Sequence, residues 1–274
     1  MIKTFLVRGD THGDVEWINK QLVGSYEPET TAVIILGDFG INFWLNNKEK
    51  RNKEWIEEKG YYIYAVRGNH DCRIEDMGTA TIIYDEEVQG YVYMEPKYPH
   101  IRYFKNYGIY RINGYSCLVI GGAYSVDKWY RLAMYNFTEE TNIPTKSGWF
   151  PNEQLSEKER TNCELMLMDS PGYFDFVLTH TCPISFQPRD KFLGFVDQSK
   201  VDNSMEVWLE ERVAKRIAYG TWLAGHYHID RIEAPFFEFY YNNIDSLDEI
   251  YKRWDEYSKS GYLPWYIEKG PNFL

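Results

Sequence analysis

Short apolar runs punctuate the chain, and each is broken by glycine followed by a polar residue. Ile2–Val7, Thr31–Leu36 and Tyr61–Val66 are rich in β-branched and aromatic side chains, which predicts three buried strands. Between them, Val15–Leu22 and the charged stretch Lys48–Lys59, ended by Gly60, have helical spacing. Strands alternating with helices at this interval imply a layered α/β architecture. The middle of the chain changes character. Residues 81–93 and 101–120 read as short β runs, with Asn113-Gly114 marking a hairpin between Tyr107–Ile112 and Tyr115–Ile120. After Gly121-Gly122, residues 123–150 are aromatic with little periodicity, which predicts a long functional loop or lid. Further on, the pattern predicts a helix over 152–169 and a strand at Asp175–Leu178. A helix at Asp202–Ala218, strands at Thr221–Ala224 and Phe236–Tyr241, and a last helix at Asp245–Ser258 complete the series. No internal repeat or low-complexity linker divides the chain, which favours one domain.

The polar residues that end these runs carry the chemistry. Of six histidines, five (His12, His70, His180, His226 and His228) directly follow an apolar run; His100 does not. Asp10, Asp38 and Asn69 sit at the same kind of position. Ligands of open α/β sheets bind beyond the carboxyl ends of the strands, so five strand ends would deliver metal-capable side chains to one edge. In extended backbone, residues i and i+2 point the same way, so Asp10-x-His12 and His226-x-His228 can each turn two donors toward one ion. A single Gly-Asp, or one histidine after a strand, is more often a turn or a satisfied polar residue; the joint pattern is what argues for a site. Carboxylate, amide oxygen and imidazole without thiolate suit manganese, iron, zinc or nickel over copper(I) or iron–sulfur. So many donors exceed what one ion with an open position can use, and they suit two ions sharing a carboxylate.

Composition narrows the partners. With 274 residues, 44% of them hydrophobic, the chain can bury a sizeable core. Its formal charge of -11 argues against tracking nucleic acid or an anionic membrane. The cysteines at 72, 117, 163 and 182 form neither a CxxC pair nor a zinc spacing, and free thiols point to the reducing cytoplasm. No signal peptide is evident at the N-terminus, and no run approaches the length of a membrane span.

The series Gly9-Asp10-x-His12, Gly37-Asp38, Gly68-Asn69-His70-Asp71, His180 and Gly225-His226-x-His228 resembles the calcineurin-like metallophosphoesterase superfamily, in that family's order. The resemblance implies a four-layer α/β/β/α sandwich, two mixed β-sheets flanked by helices, with a dinuclear metal site at strand C-terminal ends. One domain would then span 1–274, with a motif core at 1–241 and a C-terminal extension at 242–274. The resemblance also implies one metal on Asp10, His12, Asp38 and His228 and a second on Asp38, Asn69, His180 and His226, with Asp38 bridging. His70 would be the histidine that binds no metal and serves catalysis. Two divalent ions, manganese first among them, would activate a bridging hydroxide to attack a phosphomonoester or phosphodiester of a small or nucleotide-like substrate.

Departures from close relatives refine the expectation. Serine/threonine protein phosphatases of the superfamily carry Gly-Asp-x-Val-Asp-Arg-Gly, but Ile41 and Asn42 stand here where that Asp and Arg would be. A protein phosphatase and a non-catalytic metal-binding scaffold therefore remain the alternatives, not the first expectation. Phosphate recognition needs cations from elsewhere, with Arg67, Arg73, Lys128 and Arg131 as candidates. Tyr124, Trp129, Tyr130, Trp149 and Phe150 could stack a ring of the substrate.

Overall fold

A computed structural model of the chain describes residues 1–141, 148–194, 196–234 and 236–260. The first half builds β1 (Thr4–Arg8), β2 (Thr31–Leu36), α1 (Asn47–Lys59) and β3 (Tyr62–Val66). It continues with β4 (Thr81–Asp85), β5 (Gly90–Met94), β6 (Ile101–Phe104), β7 (Tyr107–Ile112) and β8 (Tyr115–Ile120). The second half adds α2 (Lys128–Thr141), α3 (Glu157–Met168), β9 (Tyr173–Thr179), α4 (Ser204–Trp208) and β10 (Ala218–Ala224). It ends with β11 (Arg231–Ala234), β12 (Phe237–Phe239), β13 (Asp245–Ser246) and α5 (Leu247–Lys259).

Two mixed sheets result, one ordered β13-β1-β2-β3-β6-β5-β4 and the other β11-β12-β10-β9-β8-β7. In the first, β1, β2, β3 and β6 run parallel; in the second, β12, β10, β9 and β8 do. The period of two along each strand assigns the layers. Val7, Ile34 and Leu36 from the first sheet join Val119, Leu178 and Leu223 from the second in the cluster between the sheets. Their neighbours Leu6, Val33 and Ile35 face the other way, onto Trp17, Ile18 and the α1 residue Ile56. On the far side, Leu118, Val177 and Trp222 pack against Cys163 and Leu167 of α3 and Met205 and Trp208 of α4. The order of layers is therefore helix, sheet, sheet, helix, as expected.

The termini of the helices follow their caps. Asn46 accepts the backbone N–H groups of Lys48 and Glu49 and starts α1, and Gly60 ends it with φ 74. Ser156 and Glu159 form a reciprocal box, so α3 begins at Glu157 and not at 152 as the periodicity predicts.

Other differences have local causes. The predicted helix Val15–Leu22 shrinks to a π-helical turn, Ile18–Leu22. The stretch Asp202–Ala218 becomes α4 followed by a second π-helical run, Leu209–Ala214, and its end is claimed by β10. The expected irregular segment 123–150 contains α2, while residues 142–147 lie outside the described residues. Trp129 and Tyr130 of α2 are 62% and 66% exposed, so neither marks a buried face of the helix in the sequence. Beyond 241, β13 pairs with β1, and Leu247 and Ile250 of α5 enter the cluster between the sheets. Residues 261–274 lie outside the described residues. All four cysteines are free, and no helix among the described residues is long and apolar enough to cross a membrane.

Candidate metal centre

The carboxyl ends of β1, β2 and β3 lie side by side in one sheet, and those of β9 and β10 in the other. Each parallel strand hands its next residues to the same edge. Asp10 and His12 follow β1, Asp38 follows β2, and Asn69 and His70 follow β3; His180 follows β9, and His226 and His228 follow β10. The backbone there is held away from its ordinary conformations: His12, Asp38, His226 and His228 have φ of 47, 49, 69 and 52. Left-handed backbone at four non-glycine residues costs free energy that the surrounding contacts must offset, as is usual at functional sites. The motif glycines have a steric reason. A Cβ on Gly37 would sit 2.1 Å from His180 Nδ1, and one on Gly68 would sit 2.0 Å from Asp38 Oδ1. The space at Gly37 is filled by a side chain from the end of β9 in the other sheet, and that at Gly68 by one from the end of the adjacent β2.

Two groups of ligand atoms come together, each within 4.8 Å: Asp10, His12 and His228 in one, Asp10, Asp38 and His180 in the other. Asp38 faces both. Its Oδ1 lies 3.4 Å from His180 Nε2, and its Oδ2 lies 4.0 Å from both His12 Nδ1 and His70 Nε2. His180 Nδ1 donates to the carbonyl of Leu36 at 2.7 Å, which leaves Nε2 facing Asn69 Oδ1 at 2.9 Å. His12 Nε2 and His228 Nε2 meet at 2.9 Å. Asp10 Oδ2 is buried, 3.2 Å from His228 Nε2. His226 is half-buried, its ring 4.9 Å from that of His180.

Electrostatics carry the same signature. Burial resists charging His180, but Asp38 and Asp10 outweigh it and raise its pKa to about 9. Burial, and then the positive His180, push His226 down to about 3. Burial opposes the Asp38 carboxylate, yet the histidines around it hold its pKa well below the usual range. Electron-pair donors face one another at distances that need a proton or a cation between them. Oxygen and nitrogen donors without thiolate, packed this closely, fit divalent cations.

The residues around the centre include several that the sequence did not single out. The Asp71 carboxylate accepts the N–H groups of Phe39, Gly40 and Gly68 at 3.3, 3.0 and 2.9 Å, tying the β2 and β3 loops together. It therefore serves the backbone and does not orient His70. The His70 ring instead meets Phe43 edge-on at 5.5 Å, and its Nδ1 is buried without a partner. Burial lowers the His70 pKa. Ser125 accepts from Asn69 Nδ2 at 2.9 Å and in turn donates to Glu153. No periodic pattern flags the Asp71–Phe39, Asn69–Ser125 and Ser125–Glu153 contacts, which join residues 32, 56 and 28 apart in sequence.

A cleft of about 1020 Å³ opens over the centre. Of the four cations expected at a phosphate, Arg131 lines it, anchored to Asp127 at 2.7 Å and to the carbonyl of Gly148 at 3.0 Å. Arg67 is buried against Asn106, Asn152 and Glu153, and Arg73 against Glu159, Asn152 and Gln154; neither lines the cleft. Lys128 lies over the rings of Tyr124, Trp129 and Trp149 at 5.4, 5.7 and 5.0 Å, which directs its charge into an aromatic cage. Tyr124, Trp129 and Tyr130 line the cleft, whereas Trp149 and Phe150 do not. Lys48, Lys191 and Lys200, unmarked in the sequence, line it as well.

The pattern that defines the family described as calcineurin-like phosphoesterase matches residues 3–230. Among solved structures, the chain is similar to a phosphopantetheinyl hydrolase from Mycobacterium tuberculosis, at 14% identity and a TM-score of 0.45, with 92% of each chain covered. It is also similar to a protein of unknown function from Aquifex aeolicus, at 15% identity and a TM-score of 0.31, covering 65% of this chain and 80% of that one. No curated protein matches the chain.

Proposed function

The chain belongs to the calcineurin-like phosphoesterase family, and from that premise we propose that it hydrolyses the phosphoester bond of a small substrate. Asp10, His12, Asp38, Asn69, His180, His226 and His228 would hold two divalent cations, manganese first among them. One observation carries this reading: pairs of electron donors, His12 with His228 and His180 with Asn69, are held 2.9 Å apart. When bound, the cations supply Lewis acidity at the phosphoryl oxygens and make water a nucleophile near neutral pH.

The protein's own groups do the rest. Asp10 and Asp38 set only two negative charges against the four positive charges of two divalent ions, so the pocket stays attractive to a phosphate. Buried Asp71 holds the loops that carry Asp38 and Asn69 in register. His70 is the ring of the set assigned to the substrate, holding a proton toward the leaving oxygen, with Phe43 packed at its edge. Arg131 faces the cleft beside it.

The cleft also supports a substrate larger than phosphate, with Trp129 and Tyr130 exposed at its wall. A phosphoprotein substrate is disfavoured, because buried Ile41 and Asn42, at 1% and 3% exposure, stand where the protein phosphatases of the family carry the Asp and Arg of their second motif. The test is hydrolysis of bis-(p-nitrophenyl) phosphate and p-nitrophenyl phosphate with Mn²⁺. Turnover of at least one is expected. No turnover of either by metal-loaded protein would leave a binding scaffold.

A further inference from the structure

Asn69 has a difficulty that the carboxylates and imidazoles around it do not share. Its amide ends in an oxygen and an NH₂ of nearly the same size, and only the oxygen can hold a cation. We propose that Glu153 is the positioning residue that sets this amide, acting through Ser125. The inference rests on the two-cation reading above.

Ser125 Oγ lies 2.9 Å from Asn69 Nδ2 and 2.6 Å from Glu153 Oε2. A hydroxyl has one hydrogen to give. Trp149 Nε1 donates to the same Oε2 at 2.9 Å, and the Ser125 backbone N–H donates to Oε1 at 3.2 Å. Both are groups that can only donate, so they fix the rotation of the carboxylate with its oxygens as acceptors. Glu153 thus takes the hydroxyl hydrogen, and Ser125 turns only lone pairs toward Asn69. Lone pairs select the NH₂, and Asn69 Oδ1 is left facing the centre, 2.9 Å from His180 Nε2. Glu153, Ser125 and Asn69 are 3%, 2% and 2% exposed, so bulk water cannot readily take over any link.

Glutamine at 153 keeps the shape but offers an NH₂. It frees the Ser125 hydroxyl to donate to the Asn69 oxygen, and the reversed amide then becomes competitive. Outer partners of this kind change metal affinity by about 10–100-fold.

The experiment is calorimetric titration of chelator-treated wild type, Glu153→Gln and Ser125→Ala with Mn²⁺, alongside the electron paramagnetic resonance signal of a coupled manganese pair. Wild type is expected to bind two ions. In Glu153→Gln the first ion should bind as in wild type and the second about 10–100-fold more weakly, with the coupled signal delayed to higher Mn²⁺. Ser125→Ala, which removes the acceptor for Asn69 Nδ2, should weaken the same ion. In an Asn69→Asp background, where both oxygens are alike, Glu153→Gln should cost nothing further. Wild-type affinity for both ions in Glu153→Gln and Ser125→Ala would overturn the inference. So would a Glu153→Gln penalty that persists beside Asp at 69. A wild-type chain that binds one ion overturns the two-cation reading itself, a failure distinct from the other two.

Discussion

His12 and His228 meet nitrogen to nitrogen, their Nε2 atoms 2.9 Å apart, with Asp10 Oδ2 3.2 Å from the second. Two neutral imidazoles cannot aim lone pairs at each other there without repulsion, so a proton or a cation must stand between them. A cation that binds only the folded chain stabilises it by mass action. At a free concentration 100 times its dissociation constant, that is about 2.7 kcal/mol, or a rise in Tm on the order of 5–10 °C. Thermal melts in chelator and in Mn²⁺ check this. Identical melts would contradict the metal centre.

Asp38 and His70 should fail in different ways. Asp38 presents one oxygen to His180 and the other to His12. Asp38→Ala should therefore lose at least one ion and, with it, turnover. His70→Ala should keep the metal content and lower kcat by roughly 10²–10⁴, the scale of general acid–base catalysis. Its effect should shrink on esters with good leaving groups. Equal loss on activated and unactivated esters would mean that His70 stabilises phosphoryl oxygens and is not a proton donor.

The strand ends were legible because the chain writes them plainly. TAVIIL before Gly37-Asp38 and YIYAV before Arg67 have the length and the β-branched and aromatic content of buried strands, and because the two run parallel, the polar residue after each emerges at the same edge. The direction of a long side chain is not written that way. Arg67 and Arg73 flank the Asn69 loop in sequence, yet backbone carbonyls near 152–154 capture both guanidiniums. The links from Asp71 to Phe39 and from Glu153 to Ser125 span 32 and 28 residues, so no local pattern announces them. Helix α2 stayed hidden because Trp129, Tyr130 and Phe137 are exposed, and the first two line the cleft instead of packing in the core.

Within α2, Arg131 lies 5.5 Å over the Phe43 ring, which itself meets His70 edge-on. The double change Trp129→Ala and Arg131→Ala should raise KM for a turned-over substrate by roughly tenfold, the scale of one charge-assisted hydrogen bond. Metal content should stay constant. Unchanged kinetics would reduce the segment to packing.

Stability should depend on pH through Glu206. Burial, opposed by the Thr181 hydroxyl bonded at 2.8 Å, raises its pKa to about 7. A carboxyl whose pKa is higher in the folded chain contributes stability that is fully present below its unfolded value. That contribution is lost as pH rises through about 7, and a shift of this size is on the order of 3 kcal/mol. Urea unfolding of wild type at pH 5 and pH 8 should show the loss, and Glu206→Gln should flatten it. An unchanged slope in the variant would place the titrating group elsewhere.

The central claim is that two bound cations make this chain a phosphoester hydrolase. Its most direct test is the rate of p-nitrophenol release from bis-(p-nitrophenyl) phosphate as Mn²⁺ is added to metal-stripped protein, with bound manganese counted in the same samples. The account predicts no turnover without metal and a rate that reaches its plateau at two ions per chain. Full turnover in excess chelator, or a plateau reached with a single ion bound, would contradict it.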